Sequence, residues 1–133
     1  MFESIRTMFR KWTPWEERLL GLLTQSLGDK HREAMLSQLK AVNKIQRIVG
    51  WTEIDFYVMK RGQVSWEGVP ALFDDREFTL ARASTFADGG RIQSELVCVG
   101  GHLFSIESKA PIKPLAFRQD IRIEVYDVDK RFL

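Results

Sequence analysis

The hydrophobic period of this 133-residue chain changes near residue 43. Before it, Leu19, Leu20, Leu22, Leu23 and Leu27, then Met35, Leu39 and Val42, recur every three to four positions, the spacing that lines one face of a helix. After it, runs such as Ile121-Arg122-Ile123-Glu124-Val125-Tyr126-Asp127 alternate apolar and charged, the period of a strand with one dry face. Helices covering a sheet are the expectation. Thr13-Pro14-Trp15-Glu16 combines an N-cap, a proline at the first helical position and the glutamate of a capping box, so a helix starts there. It is expected to end at Gly28 in a left-handed conformation, with Asp29 capping a second helix through about Asn43. Ahead of both, residues 1–12 place Phe2, Ile5, Phe9 and Trp12 on one helical face and Arg6, Arg10 and Lys11 elsewhere. This basic amphipathic segment is expected to dock on its own domain, because short helices gain their stability from packing.

Glycines at 50, 62, 68, 89–90 and 100–101 fall between apolar runs and read as turns. The strands they separate are expected at about 45–49, 53–59, 63–67, 77–86, 91–99, 103–108 and 121–127. Short connections favour an antiparallel meander. At Gly100-Gly101 the apolar faces align best with a three-residue loop that pairs Val99 with Leu103, Cys98 with Phe104 and Leu96 with Ile106. At Arg61-Gly62 a two-residue turn pairs Lys60 with Gln63, Met59 with Val64 and Tyr57 with Trp66. That second hairpin is apolar on both sides: Ile54, Phe56 and Val58 on one, Tyr57, Met59, Val64 and Trp66 on the other. Its own helices can cover only one of them. The other needs the N-terminal segment, a partner subunit or an apolar ligand.

The fold class is therefore α+β: two or three N-terminal helices packed on one face of a curved antiparallel sheet of about five to seven strands, in one domain spanning 1–133. By element order alone this layout resembles the general plan of cystatin-like and NTF2-like folds, and a resemblance of plan implies no function.

Charge and composition narrow the function classes. Residues 1–60 hold ten basic and seven acidic side chains and residues 61–133 hold ten and eleven, too even a balance for a nucleic-acid footprint. Cys98 is the single cysteine, no apolar run reaches the ~18 residues of a membrane span, and the N-terminus lacks a secretory pattern. A cytoplasmic protein is expected; attachment to a membrane surface through residues 1–12 is the weaker alternative to their docking on the domain.

Candidate chemistry is sparse. Cys98 and His102 carry the residue types of a nucleophile and base, but a strand position and a turn should point their reactive atoms apart. His31 is expected to face solvent. Asp74, Asp75 and Glu77 bunch around Arg76 without the ligand spacing of a calcium loop and read as a polar turn. Glu53 and Asp55 share one strand face and could serve acid–base chemistry if one pKa were raised; solvated edge charges explain them as well. No catalytic, cofactor-binding or metal-ligating residue is assigned.

The expected function is a non-enzymatic binding or protein-interaction module, self-associating or binding another protein. Trp12, Trp15, Tyr57, Met59, Val64 and Trp66 are its partner-binding residues. The alternative is a pocket between helices and sheet that binds or transforms a small apolar ligand, with Glu53, Asp55 or His102 at its rim.

Overall fold

In the computed structural model the described residues are 11–133. The amphipathic segment 1–12 lies almost wholly outside them. Helix α1 spans Pro14–Ser26 and opens on the expected capping box: Thr13 N–H donates to Glu16 Oε1 at 2.9 Å, and Glu16 N–H donates to Thr13 Oγ1 at 3.3 Å. Helix α2 spans Asp29–Ala41. Between them the expectation fails in detail. Gly28 is the N-cap of α2 with φ −64°, not a left-handed C-cap, and Asp29 lies inside the first turn. The backbone of Leu133 explains the glycine, since a Cβ at residue 28 would lie 2.9 Å from the Leu133 carbonyl group.

Eight strands follow: β1 Lys44–Ile48, β2 Glu53–Tyr57, β3 Met59–Lys60, β4 Gln63–Val64, β5 Phe78–Ala87, β6 Gly90–Val99, β7 His102–Ser108 and β8 Arg122–Tyr126. Six form an antiparallel sheet in the order β1-β2-β7-β6-β5-β8, and β3 and β4 form a separate hairpin. This is an α+β fold with its helices N-terminal to the sheet. It is not the simple meander expected: β5, β6 and β7 follow one another, whereas β2 adds to the β7 side and β8 to the β5 side. The long 53–59 strand also breaks at Val58. Tyr57 pairs with Lys44 rather than Trp66, and only Met59↔Val64 and Lys60↔Gln63 of the expected hairpin register are kept.

Two bulges adjust the sheet. The β6–β7 turn is the two-residue one, pairing Val99 with His102 and Cys98 with Leu103, and Phe104 is then extruded so that Leu96 still meets Ile106. The expected apolar register is thus restored by a bulge rather than by a longer loop. In β5, Leu80 is extruded between Thr79 and Ala81, which leaves both Leu80 and Ala81 in the core and frees the Leu80 carbonyl to accept from Asp129 N–H at 2.8 Å.

Both helices cover one face. Trp15 lies beneath α1, fully buried, its Nε1 donating to Thr85 Oγ1 of β5 at 3.0 Å, and Trp12 packs edge-on to Phe56 at 5.1 Å. Glu16 is also fully buried and receives both Nε and Nη2 of Arg47 in β1 at 2.8 and 2.7 Å, a bidentate pair that ties helix to sheet. At the far end the segment 65–77 folds over the β6–β7 turn. Gln38 of α2 holds it there, donating to the Pro70 and Gly101 carbonyls and accepting from Leu103 N–H.

Candidate functional site

The face of the sheet turned away from both helices contributes no side chain of β2, β6 or β7 to the main core cluster, although Asp55, Val97 and Ser105 on it are buried. Strand alternation places Glu53, Asp55 and Tyr57 of β2 on it, with Glu107 of β7, Glu95 of β6 and Arg82 of β5. Its apolar end is built from Tyr57, Phe104 and Val97. The Phe104 bulge turns that ring toward Tyr57, where the two meet edge-on at 5.5 Å. Beyond them, Met59 is half-buried and Val64, its register partner, is 54% exposed. Trp66 is half-buried and stacks on His102 at 4.3 Å, beside the exposed Val99.

The six residues expected to bind a partner therefore separate into two groups. Tyr57, Met59 and Val64 stand clear of the buried core, while Trp66, half-buried, packs against its edge. Trp12 and Trp15, by contrast, are core residues, 2% and 0% exposed, because the capping box at Thr13 aims the first turn of α1 directly at the sheet. They offer nothing to a partner in the single chain.

The middle of the open face is acidic. Glu53 lies directly opposite Glu107, and Glu107 directly opposite Glu95, so three carboxylates form a row across β2, β7 and β6. Arg82 ends the row, 3.4 Å from Glu95 and 3.7 Å from Asp127. Beside Glu53 on the same strand, Asp55 is 4% exposed and one of its carboxylate oxygens has no hydrogen-bond partner among the described residues. Its opposite number, Ser105, donates instead to Glu107 Oε2 at 3.2 Å. Burial, a hydrogen bond with Glu53 and the charges of Glu53 and Glu107 push the Asp55 pKa up to about 7. Two carboxyl groups can share a hydrogen bond only if one is protonated, so this pair retains a proton to near neutrality. Burial, with Asp55 and Glu53 behind it, also raises the Tyr57 hydroxyl. The sequence had paired Glu53 with Asp55; Glu95 and Glu107 join them only through pairings between strands far apart in the chain.

The other candidates resolve individually. Cys98 is fully buried on the helix side, its thiol pushed up to about 12 by burial, and His102 lies across the sheet from it with its pKa lowered by burial. His31 is not solvent-facing but half-buried, edge-on to Phe132 at 5.0 Å. Asp74 is a buried anchor rather than a polar turn residue. It is held well below the carboxylate range by hydrogen bonds from Arg76 and Arg131. Surface depressions of about 380 to 640 Å³ lie along the margins, for example between His31 and Phe73, between Glu17 and Gln119, and between Gly21 and Ile123. Glu53, Asp55 and His102 line none of these. No group of three His, Cys, Asp or Glu among the described residues has the arrangement of a metal site, and no described helix is long and apolar enough to cross a membrane.

No family model matches the chain, and no curated protein or solved structure is significantly similar to it.

Proposed function

We propose that this chain is a non-enzymatic protein-interaction module that docks a partner, in the first instance a second copy of itself, on the sheet face its helices leave uncovered. The observation that supports the reading is the apolar end of that face. Tyr57 and Phe104 are half-buried and meet edge-on, Val99 is exposed on the same sheet, and half-buried Met59 and exposed Val64 stand on the separate hairpin that follows β2, with half-buried Trp66 in the loop beyond it. Covering such a patch removes apolar area from water at about 25 cal/mol per Å², and aromatic residues of this kind concentrate binding energy at protein interfaces.

Sedimentation velocity on the wild type and on Val64→Asp tests the reading. Val64 is 54% exposed at a hairpin tip, so the substitution spares the core. The wild type is expected to self-associate as concentration rises toward about 1 mM, and Val64→Asp to weaken that association about tenfold or more. A wild type that stays monomeric throughout, or a variant that associates equally well, overturns the proposal.

A further inference from the structure

The acidic row makes the open face chemically selective. Like charges directly opposite one another in a ladder destabilise a sheet, and here the arrangement occurs in two successive ladders, Glu53↔Glu107 and Glu107↔Glu95. Opposing Cβ atoms are about 4.5–5.5 Å apart, so three carboxylates occupy a line of about 10 Å. Among the described residues neither Glu53 nor Glu107 pairs with a cation. Arg82, the only basic group in the row, is already engaged by Glu95 and Asp127. Asp55 adds a second, independent sign. It is nine-tenths buried beside the row, with a carboxylate oxygen left without a partner, which is costly in a folded protein. A metal ion does not suit the arrangement, since no described cluster has metal-site geometry. A planar, multiply donating organic cation does. Guanidinium groups bridge carboxylates bidentately, and the Phe104 ring, edge-on to Tyr57, adds an aromatic surface; the Tyr57 ring itself already has Lys44 Nζ 5.9 Å over it.

We propose that the row Glu53, Glu107 and Glu95 binds arginine side chains of a protein segment laid across β2, β7 and β6. This rests on the reading of the open face as a docking surface and names what the partner must carry. Two guanidinium groups, each lodged between adjacent carboxylates, would relieve both like-charge contacts. A cation here also favours the ionised form of Asp55, so binding near neutral pH is accompanied by proton release.

The test titrates the intact protein with a blocked synthetic peptide, Arg-Val-Arg-Val-Arg, and with the same peptide carrying citrulline for arginine. Amide chemical shifts and calorimetry in buffers of different ionisation heat are the readouts. The arginine peptide is expected to shift residues in 53–57, 95 and 104–107 and to release protons at pH 7. The citrulline peptide, and the E53Q/E107Q protein, should each bind about tenfold more weakly or less. Removing the facing charges should leave E53Q/E107Q at least as stable as the wild type, so lost binding cannot be ascribed to lost folding. Equal binding of the citrulline peptide, undiminished binding by E53Q/E107Q, shifts confined to other residues, or no binding at all would each overturn the proposal. Sedimentation of the same proteins separates it from the wider reading. If the peptide fails while Val64→Asp still weakens self-association, only the arginine assignment falls. If the peptide binds through the carboxylates but the wild type stays monomeric, the assignment stands and the partner is a different protein.

Discussion

Replacing Asp55 with asparagine should stabilise the protein at alkaline pH and do progressively less as the solution is acidified. Asp55 is 4% exposed, and its pKa lies at about 7 in the folded chain against an ordinary 3.8 for an aspartate. A folded-state value above the unfolded one means the native state holds more protons between those two limits. The carboxyl's contribution to stability is therefore fully present below about pH 4 and is lost as pH rises through about 7. The full gap corresponds to a ceiling of about 4 kcal/mol at 1.36 kcal/mol per pH unit. Glu53 and Glu107 lie at the surface and can swing their charges toward water, so about 1–2 kcal/mol of this remains. For a chain of this length that is about 4–7 °C in melting temperature. Asparagine cannot ionise, yet its amide can still donate to Glu53, so D55N keeps the hydrogen bond without needing a proton. Thermal melts of both proteins at pH 5 and pH 8 provide the assay. Taking the difference between them cancels the groups they share, including His102, whose lowered pKa makes it a liability only on the acid side of its range. About two of the roughly three pH units between the two values fall in this interval, so the advantage of D55N should grow by about 3–5 °C from pH 5 to pH 8. A constant difference, or one that shrinks with rising pH, would show that Asp55 is not the strained acid its surroundings imply.

Arg47→Ala should destabilise by about 3–5 kcal/mol in urea denaturation, because it leaves the fully buried Glu16 carboxylate without its bidentate partner. A loss below about 1 kcal/mol would mean that the Thr13 N–H and water suffice for Glu16. Gly101→Ala should cost about 1–3 kcal/mol, since residue 101 has φ +82° and a Cβ there would meet Ala71 Cβ at 2.9 Å and the Leu72 carbonyl oxygen at 3.0 Å. The segment over the β6–β7 turn should then be cut faster by a nonspecific protease; unchanged stability and cleavage would refute the close contact.

What could be read from the chain was local. The capping box at Thr13-Glu16 and the tip of the Arg61-Gly62 hairpin depend on neighbours within a few residues, and both are present as expected. Errors arose where alternation could be satisfied in more than one way. A three-residue loop and a two-residue turn plus a bulge both align Leu96 with Ile106, and the packing of 65–77 over Gly101 selects the second. In the same way Tyr57 had two possible partners, and β1, brought up by the Glu16–Arg47 pair, takes the place expected for Trp66. Trp12 and Trp15 were legible as interface or core residues alike; the buried indole hydrogen bond to Thr85 could not be known before β5 was placed.

The row of carboxylates was invisible for a related reason, and that reason bears on how it should be interpreted. Glu53, Glu95 and Glu107 are separated by 42 and 12 positions, and each alone is an ordinary solvated glutamate at an alternating strand position. They become unusual only when β7 is inserted between β2 and β6. On the helix side of the same strands, Ile54, Ile106 and Leu96 occupy the adjacent ladder positions and are all fully buried, so pairing there is fixed by the core. The open face inherits that register without contributing to it. Like charges placed opposite one another on such a face weaken the sheet and add nothing to its specificity, since any mixture of Lys, Thr or Gln would fit the same positions. A local rule broken where folding does not demand it points to use, and the use that would relieve this particular conflict is the one proposed, a partner bringing positive charge to the face.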